Sequence, residues 1–160
     1  MRLILVRHPQ TIWHAEGRYV GKADIPLDDT GIRQAELVVS RLADVKLDAV
    51  YSSPLSRCLL LANMVGEAHA LDVTTDERLQ EMDLGKWSGQ KHDAVAEQDG
   101  ETLRRWLEEP ATVMLPGGES LLDVRERSTR PTCRLLTVFV AIKTAGQAHH
   151  MWSTRTCWTP

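Results

Sequence analysis

The chain has 160 residues, 42% apolar and 26% charged, the size and balance of one globular domain with a substantial core. Its net charge of −3 supplies no field to attract nucleic acid or an anionic membrane. The three cysteines, Cys58, Cys133 and Cys157, form neither a CxxC pair nor a disulfide framework, so a reducing cytoplasm is the expected location.

Arg2–Val6 reads as a short buried strand, because Leu3 to Val6 are all apolar and Pro9 follows. That run is too short for a signal-peptide core. Residues 10–29 read as loop, punctuated by Gly17, Gly21 and Pro26. Thr30 is the expected N-cap of a helix over 31–43, with Ile32, Ala35, Val38, Val39 and Leu42 on one face. A second strand is expected at 48–51. Ser53 and Pro54 then read as the cap and first residue of another helix, its inner face Leu55, Leu59, Leu61, Ala62 and Val65. A weaker strand spans 71–75. Strand and helix therefore alternate twice in the first 75 residues, which predicts an α/β fold with helices covering a sheet. Further on, a polar stretch holds Gly85 and Gly89, and a helix is expected near 101–108. Pro116-Gly117-Gly118 makes a turn, and Ser120 caps a last helix with Asp123 as the capping-box acid. The apolar run 135–142 is too short to span a membrane.

Four segments carry side chains suited to phosphoryl chemistry. Leu5-Val6-Arg7-His8 puts a guanidinium and an imidazole at the carboxyl end of a strand, where open α/β sheets bind ligands. A neutral imidazole can attack phosphorus, and an arginine can hold phosphoryl oxygens through two donors. Ser52-Ser53-Pro54-Leu55-Ser56-Arg57 puts a second arginine in the first turn of a helix, where backbone N–H groups favour anions. Glu81, between apolar neighbours in Leu79-Gln80-Glu81-Met82-Asp83-Leu84-Gly85, is a candidate acid whose pKa an apolar setting would raise. Pro116-Gly117-Gly118-Glu119-Ser120 reads as a helix entry. Each segment alone has an ordinary structural explanation; the set, in this order, does not.

Together these segments, with Thr11 and Asp24-Ile25-Pro26-Leu27-Asp28-Asp29-Thr30-Gly31, resemble the histidine phosphatase superfamily, the phosphoglycerate mutase-like family, over residues 1–127. The resemblance implies a three-layer α/β fold, a central, mostly parallel sheet with helices on both faces. It implies that His8 is the nucleophile and forms a phosphohistidine, that Arg7 and Arg57 hold the phosphoryl oxygens, and that Glu81 is the acid and base. His14 stands where the family often has a phosphate-contacting asparagine. No metal or other cofactor is implied, since arginines and histidines supply the positive field. The expected partner is a small phosphomonoester, with no nucleic acid and no membrane; a homodimer is left open. Arg7-His8-Pro9, in place of the commoner Arg-His-Gly, resembles the α-ribazole phosphatase branch, which acts in cobalamin biosynthesis. Two rivals stand beside the phosphatase: a mutase, whose relatives usually carry longer insertions, and a catalytically impaired phosphate-binding protein.

Residues 128–160 do not match. The family's late strand carries a second histidine after a run such as Val-Val-Ser. Here His149 and His150 follow Gly146-Gln147-Ala148 instead. All 22 acidic residues lie at or before Glu126, while residues 127–160 hold five basic residues and no acidic one. With serine as TCN, the codons for Met151, Trp152, Ser153 and Thr154, read two nucleotides later, spell valine, valine and one of histidine, asparagine, aspartate or tyrosine. The domain expectation is therefore an incomplete catalytic domain over 1–127 and an atypical tail over 128–160, either altered by a frameshift after Arg127 or divergent but genuine.

Overall fold

The computed structural model describes residues 2–129 and 140–144. His149, His150 and the rest of the expected alteration in the tail lie outside the described residues, apart from one strand. The element order is β1 (Arg2–Val6), α1 (Ile12–Ala15), α2 (Asp29–Leu42), β2 (Ala49–Ser52), α3 (Ser56–His69), β3 (Val73–Thr75), α4 (His92–Gln98), α5 (Gly100–Glu108), α6 (Leu121–Thr129) and β4 (Val140–Thr144). This is an α/β fold.

The four strands lie in the order β1-β4-β2-β3. β2 and β3 pair in parallel, while β4 runs antiparallel to β1 on one side and to β2 on the other. Three of the four strands therefore point the same way, as expected, but β4 turns two of the three ladders antiparallel. The shared direction is what matters for the site. The carboxyl ends of β1, β2 and β3 emerge on one edge, and the segments bearing His8, Arg57 and Glu81 follow those ends in turn.

The helix starts differ from the sequence reading, and the reason is tertiary or semi-local hydrogen bonding. α2 begins at Asp29 rather than after Thr30, because the Asp28 carboxylate accepts the Gly31 N–H at 2.7 Å and acts as the N-cap. Asp28 also accepts from the Gln10 amide at 2.9 Å, which stitches α2 to the loop after His8. α3 begins at Ser56, three residues beyond Ser53, after an extended Leu55. Its first N–H is taken by Asp24 from the distant loop, at 2.7 Å. α6 follows the sequence reading: Ser120 and Asp123 form a reciprocal capping box, with bonds of 2.8 Å and 3.2 Å. α4 was not anticipated.

Two cores result. Ala35, Leu42, Leu47, Val50, Leu61, Ala62 and Val65 are buried between α2, α3 and one face of the sheet, with Ile4 and Val6 packed against them. Each large aliphatic buried here contributes roughly 1.5–3 kcal/mol. Tyr19, Met82, Trp87, Val95, Val113, Leu115 and Val124 form a second core under α4, α5 and α6. His8 lies two residues beyond Val6 on the first core, and Glu81 immediately precedes Met82 in the second. Among the described residues no helix is long and apolar enough to cross a membrane.

Candidate active site

The β1 strand delivers His8 into a buried position, 6% exposed. Its Nδ1 lies 2.7 Å from the Pro9 carbonyl oxygen. A carbonyl only accepts, so Nδ1 carries a proton, and in the neutral form of the ring the lone pair is on Nε2. That Nε2 is buried and has no hydrogen-bond partner among the described residues. The imidazole is thus oriented from behind by the Pro9 carbonyl, with Nε2 turned toward Glu81.

Arg57 is fully buried. Nη1 donates to the Ala23 carbonyl and Nη2 to the Gly21 carbonyl, each at 2.6 Å, and Nη2 also reaches Glu81 Oε2 at 3.1 Å. A buried guanidinium is tolerated only when its charge and donors are met in this way. Its Nε has no partner among the described residues. The loop that grips Arg57 also supplies Asp24, the cap of α3, so one segment sets both the helix entry and the guanidinium.

Glu81 Oε2 stands 3.7 Å from His8 Nε2, too long for a hydrogen bond and close enough for Coulombic attraction to a protonated ring. Burial pushes the Glu81 carboxyl up, but His8 and the Arg57 guanidinium outweigh it and hold the group below its ordinary 4.5. The sequence expectation was the opposite. Apolar flanks suggested a raised value, whereas the neighbours that decide it come from 24 and 73 residues away.

α1 is a single turn whose N-cap, the buried Thr11, fixes His14 through contacts at 2.8 Å and 3.4 Å. The His14 ring then lies 5.1 Å from that of His8, and Arg7 Nη2 lies 3.4 Å from His14 Nε2. Burial, with His8 and Arg7 beside it, lowers the His14 imidazole from 6.5 to about 4, so it is neutral near pH 7. Cys58 is no rival nucleophile, since burial pushes its thiol up to about 11. Among the described residues no group of His, Cys, Asp and Glu is arranged to hold a metal ion.

These shifts fix a sign for the pH dependence of stability. His14 is depressed in the fold, so the unfolded chain takes up its proton first, and stability declines as pH falls through about 6.5. Glu81 and Glu119 are also depressed, and their contribution is complete above 4.5 and lost as pH falls through their folded values. The thermal midpoint should therefore drop on acidification in two stages. His14→Asn should remove the upper stage and leave the lower. A midpoint that rises from neutrality to acid would contradict both placements.

All five residues expected from the sequence, Arg7, His8, His14, Arg57 and Glu81, thus converge on one site. Sequence reasoning missed the gripping carbonyls of Gly21 and Ala23 and the cap from Asp24. It also missed a half-buried ion cluster behind Glu81. There Glu119 accepts from Lys22 Nζ at 3.1 Å, Arg127 Nε at 3.0 Å and the Asp83 N–H at 2.8 Å. The available signal was Glu119 itself, a charged residue placed between two glycines and a helix cap.

The chain matches the histidine phosphatase superfamily (branch 1) over residues 3–138. Over 127 residues it is 44% identical to phosphoserine phosphatase 1 of Hydrogenobacter thermophilus, covering 79% of this chain and 60% of that protein. Among solved structures it resembles the α-ribazole phosphatase of Shigella flexneri, with a TM-score of 0.72 at 30% identity, covering 81% of this chain and 63% of that one. It also resembles the mycobacterial glucosyl-3-phosphoglycerate phosphatase Rv2419c, with a TM-score of 0.72 at 34% identity, covering 79% and 58%. The chain therefore spans less than two thirds of the length of these relatives.

Proposed function

Because the chain belongs to the histidine phosphatase superfamily, we propose that it hydrolyses a small phosphomonoester through a phosphohistidine on His8. One observation carries this reading. A buried imidazole has its Nε2 3.7 Å from a carboxylate that is itself bonded to a fully buried arginine.

The steps follow from the charges. Arg57 and Arg7 draw the non-bridging oxygens and offset their charge in the transition state, and His14, whose Nε2 faces Arg7, orients that guanidinium. His8 Nε2 attacks phosphorus in line with the ester oxygen; the P–N bond forms as the P–O bond breaks. The Nδ1–H bond to Pro9 supports the positive charge left on the ring. The leaving alkoxide takes a proton from Glu81. That proton enters with the substrate: an incoming phosphoryl group draws Arg57 away and sets negative charge beside Glu81, raising it. A phosphomonoester with a second pKa of about 6 still brings monoanion near neutrality. Ionised Glu81 then takes a proton from water, whose oxygen attacks phosphorus and breaks the P–N bond.

The leaving group is the finer question. The phosphatases similar to this chain differ in it, and α-ribazole 5'-phosphate, suggested by Arg7-His8-Pro9, is one candidate among them. Phosphate release from phosphoserine, α-ribazole 5'-phosphate, glucosyl-3-phosphoglycerate and p-nitrophenyl phosphate tests both levels. Release from none at an enzymatic rate would overturn the phosphatase reading, and stimulation by a bisphosphoglycerate would move it to the mutase. Glu81→Gln should slow alkyl phosphates by about 10²–10⁴-fold, the usual share of general acid–base catalysis. p-Nitrophenyl phosphate, whose leaving group needs no proton, should slow much less. Equal losses would remove Glu81 from the acid role.

A further inference from the structure

Arg127, in the last turn of α6, points its guanidinium at the segment that carries Glu81. Nη1 donates to the Arg78 carbonyl at 2.7 Å and Nη2 to the Glu81 carbonyl at 3.1 Å. Nε and Nη2 meet the two oxygens of Glu119 at 3.0 Å and 3.2 Å. Glu119 in turn accepts the Asp83 N–H, and its own N–H donates to the Asp83 carbonyl, both at 2.8 Å. The backbone on each side of Met82 is therefore held from one place. Gly118 allows this approach, since a Cβ there would run into the Asp83 carbonyl oxygen. The Lys22 contact to Glu119 joins the other half of the site, because Lys22 is flanked by Gly21 and Ala23, whose carbonyls grip Arg57.

We propose that Glu119 and Arg127 are positioning residues for catalysis, a carboxylate–guanidinium clamp that sets the Glu81 carboxyl at its distance from His8 and Arg57. The side chains of both are under one fifth exposed, and the Arg127 donors go to backbone carbonyls of the acid's own segment as well as to Glu119. An ordinary surface ion pair would do neither. A planar guanidinium can bridge two carbonyls and a carboxylate at once; a lysine ammonium presents one point charge and cannot span the same three acceptors. The kinetic consequence rests on the phosphatase reading of Glu81, whereas the geometric one does not.

A double-mutant cycle tests it. Arg127→Met should lower kcat for alkyl phosphates by about 10–100-fold, the scale for groups that orient a functional residue, with KM nearly unchanged and p-nitrophenyl phosphate much less affected. Arg127→Lys should recover only part of this. In a Glu81→Gln background, Arg127→Met should add almost nothing, because its effect passes through Glu81. Independent of turnover, an NMR titration in Arg127→Met should show the Glu81 carboxyl displaced from its wild-type value and faster exchange of the Asp83 amide. Glu119→Gln, which keeps an acceptor for the Asp83 N–H, is the milder variant should Arg127→Met fail to fold, and should give the same pattern in weaker form. Additive losses in the cycle, or an unmoved Glu81 titration in a folded variant, would overturn the clamp. A wild-type chain with no turnover would instead overturn the phosphatase reading, and the titration would then judge the clamp alone.

Discussion

Replacing His8 by alanine is expected to abolish the phosphoenzyme and cut turnover by on the order of 10⁴ or more, the scale seen when an enzyme loses its nucleophile. Brief exposure of the wild-type protein to a labelled phosphomonoester should leave acid-labile, base-stable phosphate on His8. The physical ground is the tautomer. Pro9 holds a proton on Nδ1, so in the neutral ring Nε2 has its lone pair ready without a separate base, and the carbonyl remains to stabilise the ring once it is phosphorylated. His8→Ala keeps Arg57, so inorganic phosphate or vanadate should still bind. That separates loss of the nucleophile from loss of the site. Labelling that persists in His8→Ala would overturn the assignment.

The second large effect is expected at Arg57, and it should appear in stability as well as binding. Arg57→Ala leaves the Gly21 and Ala23 carbonyls without their donor and the Glu81 carboxylate without its counter-charge. Breaking a buried ion pair from one side costs about 3–5 kcal/mol, a large part of the total stability of a domain. Where the variant still folds, phosphate or vanadate affinity should fall by roughly 1.5–3 kcal/mol, the value of a charged hydrogen bond. Arg57→Lys should keep part of the affinity but little of the stability, because one ammonium cannot serve two carbonyls and a carboxylate in a plane. Urea midpoints and vanadate titrations on the same samples check both. A variant as stable as the wild type would mean that the 21–23 carbonyls are met by other donors.

Much of the site was legible in the sequence because its chemistry is tied to local signals. An apolar run that ends in Arg7-His8 marks both a strand and what stands at its carboxyl end. The strand is Arg2–Val6, as the pattern predicts. Ser120 and Asp123 mark the start of α6 because a capping box closes within four residues. The inner face of α3 follows from helical spacing, and Leu55, Leu61, Ala62 and Val65 are all buried. Leu59 is only half-buried, and Cys58 takes the inward place beside Arg57.

Local pattern sets which residue types stand at the ends of which elements, since period, caps and breakers act over a few residues. The tertiary structure alone decided how those residues are charged and held. Asp24 moves the start of α3 from 32 residues away, and His8 and Arg57 reverse the expected shift of Glu81 from 73 and 24 residues away. Glu119, read as part of a helix entry, joins Lys22, Asp83 and Arg127. Coulombic and hydrogen-bonding terms depend on distance in space and on burial, and a local pattern encodes neither.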